Sequence, residues 1–198
     1  VIAVDDFSTD RTYDVLCELP GAYGDRLVVK KNSEKGKNNA INEAIDGLDC
    51  EYICLMGGDD RMVPSVLTKR VFLLHEELMD RPADFNEIAS VCKIRTFSEW
   101  PRYHGITIPK EKSKGAISGG SIMMSMGLAK TIFPLPTDLP NEDTWISLHL
   151  RYREILILHL GEVGLMYRIH AHNSHQSGGD FGDFNKSMWR RGRAVLLF

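Results

Sequence analysis

Short apolar runs alternate with stretches of helical periodicity along the first part of the chain. Val1–Val4, Arg26–Lys30 and Tyr52–Met56 have the length and composition of strands, and the first and third are nearly continuous apolar runs. Apolar positions at helical spacing lie between them: Val15, Leu16 and Leu19 in one segment, and Ala40, Ile41, Ala44, Ile45 and Leu48 in the next. This order of elements predicts a parallel sheet with right-handed helical crossovers.

The second part of the chain predicts further helices and strands of the same α/β class. Pro64 opens a helix whose buried face is predicted to carry Val66, Leu67, Leu74 and Leu78. Strands are predicted at Ile88–Ile94, Ile122–Met124, Ile155–His159 and Val163–Ile169, and helices after Asn141 and over Phe184–Phe198. The segment Phe97–Ser113 has no clear period, so we expect a loop that is either solvated or a lid over a ligand.

Composition narrows the class of protein. The chain of 198 residues has 43% hydrophobic and 26% charged residues, which fits one folded domain. Its formal net charge of −3 gives no basic field that would attract nucleic acid. No apolar run approaches the ~20 residues of a membrane span. The four cysteines, Cys17, Cys50, Cys54 and Cys92, form no CxxC pair and sit in or beside apolar runs, which favours buried reduced thiols.

Acidic residues follow two of the predicted strands directly. Asp5 and Asp6 come after the first strand, and Gly57-Gly58-Asp59-Asp60 comes after the third. The carboxyl ends of strands in open α/β sheets are where ligands bind. Paired acids there suit a divalent cation with oxygen ligands, while Gly and Asp are also ordinary turn residues. These residues alone leave both interpretations open.

Five motifs in order resemble those of family 2 glycosyltransferases, which have the GT-A fold. Val4-Asp5-Asp6-Phe7-Ser8-Thr9-Asp10 with Thr12 resembles the family's first acidic segment, and Gly36, Ala40 and Asn42 resemble its G-x-x-x-A-x-N helix. Gly57-Gly58-Asp59-Asp60 stands at the place of the family's D-x-D-D, Asn141-Glu142-Asp143 resembles its ED motif, and Tyr167-Arg168-x-His170 its late motif. The resemblance implies a Rossmann-like, mixed but mainly parallel sheet flanked by helices, with one strand preceding residue 1.

The resemblance also implies donor-binding residues. Asp5 and Asp6 would accept hydrogen bonds from a nucleotide base and ribose, and Asp59 would lie at the donor diphosphate. Lys37 and Asn42 are further nucleotide-binding candidates, although Lys37 is also typical of an exposed surface lysine and Asn42 of a residue that holds neighbouring backbone. Residues 1–60 would form a nucleotide-binding half, and residues 61–198 an acceptor-binding half with the C-terminal helix.

A divalent cation, Mn²⁺ or Mg²⁺, is the cofactor that the resemblance implies. The candidate ligands are Asp59, Asp60 and His170, with His172 a weaker candidate. This chain departs from the family pattern because Gly57 replaces the first acid of D-x-D. Mg²⁺ often uses few carboxylates together with phosphates and water, so the departure does not exclude the ion.

The implied chemistry is a single displacement with inversion at the sugar carbon. An attacking hydroxyl needs a base within hydrogen-bond reach, and the matching family residue is Asp143. Glu142 would bind acceptor hydroxyls. Both acids could instead serve as favourable charges at a helix start.

The sequence therefore predicts transfer of a sugar from a nucleotide sugar, with UDP as the expected nucleotide, to a glycan, lipid-linked or other hydroxyl acceptor. Alternatives are a sugar nucleotidyltransferase and a degenerate, non-catalytic sugar-nucleotide-binding module. By analogy with the family we expect a role in cell-envelope polysaccharide synthesis in the cytoplasm. The basic and aromatic segment Phe184–Phe198 could contact the inner face of the membrane, although packing over the sheet is the preferred expectation.

Overall fold

The computed structural model describes residues 1–139, 141–171, 173, 192–195 and 197. They form two compact units, one made of Val1–Asp49 and Phe133–Glu142, the other of Cys50–Ile132 and Asp143–Phe198. Each unit has its own sheet. The predicted C-terminal helix Phe184–Phe198 falls mostly outside the described residues.

The first unit is built on a parallel strand pair. Its elements are β1 (Ile2–Asp5), α1 (Thr12–Glu18), α2 (Pro20–Tyr23), β2 (Val28–Lys31) and α3 (Lys37–Ile45). Strands β1 and β2 pair in parallel from Ile2 opposite Val28 to Asp5 opposite Lys31. This is the β-α-β arrangement that the alternating pattern predicts, and it brings the chain to Asp5 and Asp6 at the carboxyl end of β1.

Helix α1 is more exposed than its apolar pattern predicts. None of its residues is buried, and Val15 is 46% exposed. Cys17 is likewise exposed, and Cys50 and Cys54 are half-buried, so the prediction of buried cysteines holds fully only for Cys92. The helix has only 7 residues, so its apolar stripe is too short to lie fully against the two-stranded sheet. Pro20 begins α2 instead of simply ending α1, because proline suits a first helical position.

The second unit contains a mixed sheet of six strands among the described residues, flanked by helices. Its elements are β3 (Tyr52–Cys54), β4 (Arg61–Met62), α4 (Pro64–Met79), β5 (Ile88–Ser98), β6 (Thr107–Ile108), β7 (Ile122–Ser125), α5 (Met126–Ile132), α6 (Glu142–Tyr152, beginning in the first unit) and β8 (Leu156–Ile169). The strand order is β3-β7-β5-β8-β4, with β6 on β5.

The α/β class and the mixed sheet are confirmed, although fewer strand pairs are parallel than predicted. In this sheet only β5 and β8 pair in parallel among the described residues; the other pairs are antiparallel. The apolar character of a buried strand does not reveal its direction, which depends on the partner that the rest of the fold brings beside it.

Strand β8 joins two segments that the sequence pattern separates. The predicted strands Ile155–His159 and Val163–Ile169 form one strand of 14 residues. Its register against β5 shifts between Val91 and Ile94, so β8 takes up extra residues around Gly161 as a bulge. The polar interruption in the sequence therefore marks an irregularity within a strand, and not a turn.

Helix α4 packs its apolar face on the long strands. Val66 and Leu74 are buried as predicted, and Leu74 forms a core cluster with Ile88 and Met123. Leu67 packs against that cluster while partly exposed. No helix in the described part of the chain has both the length and the apolar character needed to cross a bilayer.

Candidate active site

Asp143 is held by two hydrogen bonds in the first turn of α6. The backbone N–H of Gly119 donates to its Oδ1 at 2.7 Å, and the Ser118 hydroxyl donates to its Oδ2 at 3.2 Å. A carboxylate bonded on both oxygens has a fixed orientation, which a general base requires. Ser118 was not found by sequence reasoning, because a lone serine before two glycines is also an ordinary turn residue.

The turn that binds Asp143 requires glycine at two successive positions. Gly119 has φ of +35°, and a Cβ there would lie 3.1 Å from Oδ1 of Asp143. A Cβ on Gly120 would lie 3.0 Å from the carbonyl oxygen of Leu55, just after β3. The two glycines therefore bring the turn between Asp143 and the segment that leads to Asp59. The close approach at both glycines is to protein atoms.

Arg70 supports this turn from the interior. Its side chain is fully buried, and one guanidinium nitrogen donates to the carbonyls of Ser90 at 3.0 Å and Ser121 at 2.9 Å. Ser121 in turn accepts from and donates to Ser118, which closes a capping box over the turn. Sequence reasoning missed Arg70 because an arginine on an apolar helix face is usually solvated at its tip.

The acidic loop after β3 meets the end of β8. Oδ2 of Asp59 lies 2.9 Å from Nε2 of His170, and Oδ1 of Asp60 accepts the Arg168 backbone N–H at 2.9 Å. The pairing of β4 with β8, with Arg61 opposite Met166, brings these distant segments together. The sequence-based grouping of Asp59, Asp60 and His170 thus corresponds to one cluster, while His172 lies outside the described residues.

Gly57 is close to both of these carboxylates. A Cβ on Gly57 would lie 3.0 Å from Oδ1 of Asp59 and 3.2 Å from Oδ2 of Asp60. A larger side chain at this position would require these two carboxylates to shift by a few tenths of an ångström.

The contacts of this cluster limit how it could hold a divalent cation. Oδ2 of Asp59 and Nε2 of His170 share a hydrogen bond of 2.9 Å, so these two atoms bind each other in the structure. Within the described residues, no group of three or more His, Cys, Asp or Glu side chains is arranged to hold a metal. An ion bound here would replace the Asp59–His170 hydrogen bond and would take most of its ligands from phosphate and water oxygens.

A cleft with a volume of about 620 Å³ opens beside the Asp59–His170 pair. Its walls come from the loop after β3, the end of β5 with the segment that follows it, and the end of β8. The lining residues are Asp59, Arg61, Phe97, Ser98, Glu99, Trp100, His104, Arg168, Ile169, His170 and Ala171. This volume is typical of a small-molecule site.

The first unit has its own polar cluster at the end of β1. Oδ1 of Asp6 accepts from the Gly36 backbone N–H at 2.7 Å and from the Asn32 amide at 2.8 Å. Asp5 is 3% exposed and accepts the Ser8 backbone N–H at 3.2 Å. Oδ1 of Asp5 and Oδ1 of Asn32 are buried acceptors without a hydrogen-bond partner in the described structure. Sequence reasoning missed Asn32, which lies in an otherwise ordinary polar loop.

Lys37 and Glu142 form an ion pair in this unit. The Glu142 side chain is 7% exposed and that of Lys37 is 60% exposed. The pair takes up part of the hydrogen-bonding capacity of both candidates.

Asn42 holds backbone with its whole side-chain amide. Its Nδ2 donates to the Leu135 carbonyl at 2.9 Å, and its Oδ1 accepts the Leu135 N–H at 2.7 Å. This agrees with the alternative, drawn from the sequence, that Asn42 fixes neighbouring backbone. Its role in nucleotide binding stays a prediction.

Asn42→Ala is expected to lower the free energy of unfolding by about 2–3 kcal/mol, because it leaves two backbone groups of Leu135 unpaired. Urea denaturation of both proteins measures the change. Asn39→Ala on the same helix is the control, since its amide makes one longer bond at 3.3 Å to Lys35. Equal losses in the two variants would contradict the structural role.

Comparison with known sequences identifies the protein family of this chain. The glycosyl transferase family 2 profile matches residues 1–129, so the chain belongs to this family. No curated protein sequence matches the chain.

Solved structures of S. aureus TarS have a similar fold. The chain superposes on TarS 1-349 in complex with UDP-GlcNAc with a TM-score of 0.63 at 17% identity, over 99% of this chain and 57% of that one. On the complex with UDP it superposes with a TM-score of 0.62 at 17% identity, over 99% of this chain and 56% of that one. On a further structure of S. aureus TarS it superposes with a TM-score of 0.60 at 18% identity, over 85% of this chain and 31% of that one. The chain therefore spans little more than half of the TarS 1-349 structures and less of the longer one.

Proposed function

We propose that this protein transfers a sugar from a nucleotide sugar, with UDP as the nucleotide, to a hydroxyl of a glycan or lipid-linked acceptor. The observation that carries the proposal is Asp143, a carboxylate oriented by Gly119 and Ser118 in a chain of glycosyl transferase family 2. The TarS structures in complex with UDP and UDP-GlcNAc support the choice of donor.

In the proposed reaction Asp143 acts as the general base. The acceptor oxygen forms a bond to the anomeric carbon as the bond from that carbon to the diphosphate oxygen breaks, which inverts the carbon. The hydroxyl proton passes to Oδ2 of Asp143, whose partner Ser118 makes the longer and weaker of the two bonds. The Gly119 N–H keeps Oδ1 in place throughout.

Nucleotide binding is proposed to use the polar cluster of the first unit. Asp5 and Asp6 would accept hydrogen bonds from the base and ribose, and the buried, unpaired Oδ1 of Asp5 marks unused acceptor capacity there. Lys37 and Asn42 are kept as nucleotide-binding candidates. On this basis residues 1–60 form the nucleotide-binding half and residues 61–198 the acceptor-binding half.

Asp59, Asp60 and His170 are proposed to hold Mn²⁺ or Mg²⁺ at the donor diphosphate. When bound, such an ion neutralises the charge that grows on the leaving nucleoside diphosphate. Asp60 orients the loop through its bond to the Arg168 N–H. We further propose that the protein acts in cell-envelope polysaccharide synthesis in the cytoplasm or at the inner face of the membrane.

Calorimetric titration with UDP and UDP-sugars, with Mn²⁺ or with EDTA, tests donor binding. We expect metal-dependent binding that falls at least about tenfold in Asp59→Ala, because the variant loses one of the few protein ligands of the ion. Asp84→Ala, which changes an exposed aspartate outside the cleft, is the matched control.

Three outcomes would contradict parts of this proposal. Absence of UDP binding would overturn the donor, and equal binding in EDTA would overturn the metal. Binding without transfer to any acceptor would favour a degenerate binding module, for which Gly57 in place of an acid is the supporting feature.

A further inference from the structure

One wall of the cleft presents an exposed tryptophan in a fixed position. The Trp100 side chain lies in the cleft lining, and the residue is 42% exposed. Its ring meets the Tyr103 ring edge to face, with 6.0 Å between the centroids. The Arg102 guanidinium lies over the Tyr103 ring, 4.5 Å from its centroid. An indole that is held in place by a neighbouring ring offers a flat apolar face without losing much freedom on binding.

Hydrogen bonds fix the segment that carries this ring. Ser98 Oγ donates to the Ile169 carbonyl at 2.8 Å and accepts the Trp100 N–H at 3.1 Å. Nδ1 of His104 lies 3.2 Å from the Ser98 carbonyl, and the Thr96 hydroxyl donates to the Tyr103 carbonyl. The loop is therefore tied to both β5 and β8, although its sequence has no regular period.

Several polar groups around the ring have no hydrogen-bond partner in the described part of the chain. They are the Glu99 carboxylate, the Trp100 indole N–H, Nε2 of His104 and the Arg168 guanidinium. All four residues line the same cleft. Together they supply donors and acceptors around an apolar face, a combination that orients small ligands with many hydroxyls.

The acidic and basic side chains of the lining balance each other. Asp59 and Glu99 are matched by Arg61 and Arg168, and the charges of a divalent ion and of a donor diphosphate would also offset each other, so the lining has no net charge that would attract a charged sugar. Arg61 is moreover placed over the Phe97 ring at 5.1 Å. A sugar ring has an apolar face of C–H groups and hydroxyls at its edge, which matches this pattern of ring and polar groups.

We infer that this cleft is a subsite for a neutral sugar residue of the acceptor, with Trp100 as its stacking surface. The inference rests on the proposed function. Asp59 and His170 line the same cleft, so a sugar bound here lies beside the proposed position of the leaving diphosphate. Glu99, His104 and Arg168 would bind its hydroxyls.

Saturation-transfer NMR and titration with the full chain test this inference. The probes are methyl glycosides of glucose, galactose and N-acetylglucosamine, neutral trisaccharides of the same sugars, and the corresponding sugar phosphates. We expect a neutral saccharide to bind, and Trp100→Ala to weaken it at least about tenfold while UDP affinity is unchanged. Trp100→Phe should restore most of the affinity. Phe72→Ala, which removes a 63% exposed aromatic ring outside the cleft, should have no effect.

Four results would overturn the inference. The first two are that the wild type binds no saccharide, or that it binds sugar phosphates only. The third is that Trp100→Ala binds the saccharide as tightly as the wild type. The fourth is that Trp100→Ala also loses affinity for the UDP-sugar, which would assign the ring to the donor sugar. Saccharide binding without any UDP binding would instead refute the proposed donor and leave a sugar subsite in place. Failure of the sugar subsite and failure of the proposed donor therefore give different results.

Discussion

Asp143→Asn is expected to lower kcat by about 10²–10⁴-fold, the range typical for loss of a general base. Asparagine has nearly the same shape, so Oδ1 can still accept the Gly119 N–H. The Ser118 hydroxyl can rotate to accept from the new amide. The fold and the donor site should therefore persist, while the proton acceptor is lost.

Steady-state rates with a UDP-sugar and a saccharide acceptor measure this effect, and calorimetry with UDP checks the donor site. Asp84→Asn controls for loss of a carboxylate elsewhere, because Asp84 is exposed and lies outside the cleft. An unchanged kcat in Asp143→Asn would rule out Asp143 as the base. Loss of UDP binding together with kcat would instead indicate that the substitution disturbs the fold.

Gly115→Ala is expected to lower the free energy of unfolding by about 3 kcal/mol or more, at the upper end of the cost of overpacking. A Cβ on Gly115 would lie 2.4 Å from the carbonyl oxygen of Val91 and 2.8 Å from the N atom of Cys92. Both are backbone atoms of β5, which cannot move aside as a side chain can. The next residue, Ala116, donates to the Cys92 carbonyl at 3.0 Å, so a shift would also break that bond.

Urea denaturation followed by circular dichroism measures this loss. Gly21→Ala is the matched control, because a Cβ there would meet nothing within 4 Å and its φ is not in the left-handed region. It should leave stability nearly unchanged. A similar midpoint and slope for the two variants would show that β5 and the segment at Gly115 adjust without strain.

The family motifs explain how much of the site was predictable. The acids of this site follow apolar strands or precede a helical stretch, and strand ends and helix starts are local features of sequence. The motif resemblance assigned Asp59 and His170 to one site, and their side chains do meet although they lie 111 positions apart in the sequence. Their role as metal ligands stays a prediction. Sequence reasoning also left open that Asn42 holds backbone, which its two bonds to Leu135 now show.

Other features depend on contacts that no local pattern records. Arg70 has an ordinary charged side chain, and its full burial follows from the carbonyls of Ser90 and Ser121 that meet it. The position of Trp100 in the cleft wall depends on Ser98, which binds both the Trp100 N–H and the Ile169 carbonyl at the end of β8.

The sequence by itself determined the α/β class, the family and the chemical types of the candidate residues, because apolar periodicity and motif order are properties of the chain alone. Only the tertiary structure decided strand direction, the continuity of β8 and the arrangement of Asp143 with Ser118 and Gly119. Each of these depends on which distant segment becomes a neighbour. Strand pairing and the packing of helices on a sheet join segments that are far apart in sequence. Which segments pair depends on all the other segments that could take the same place.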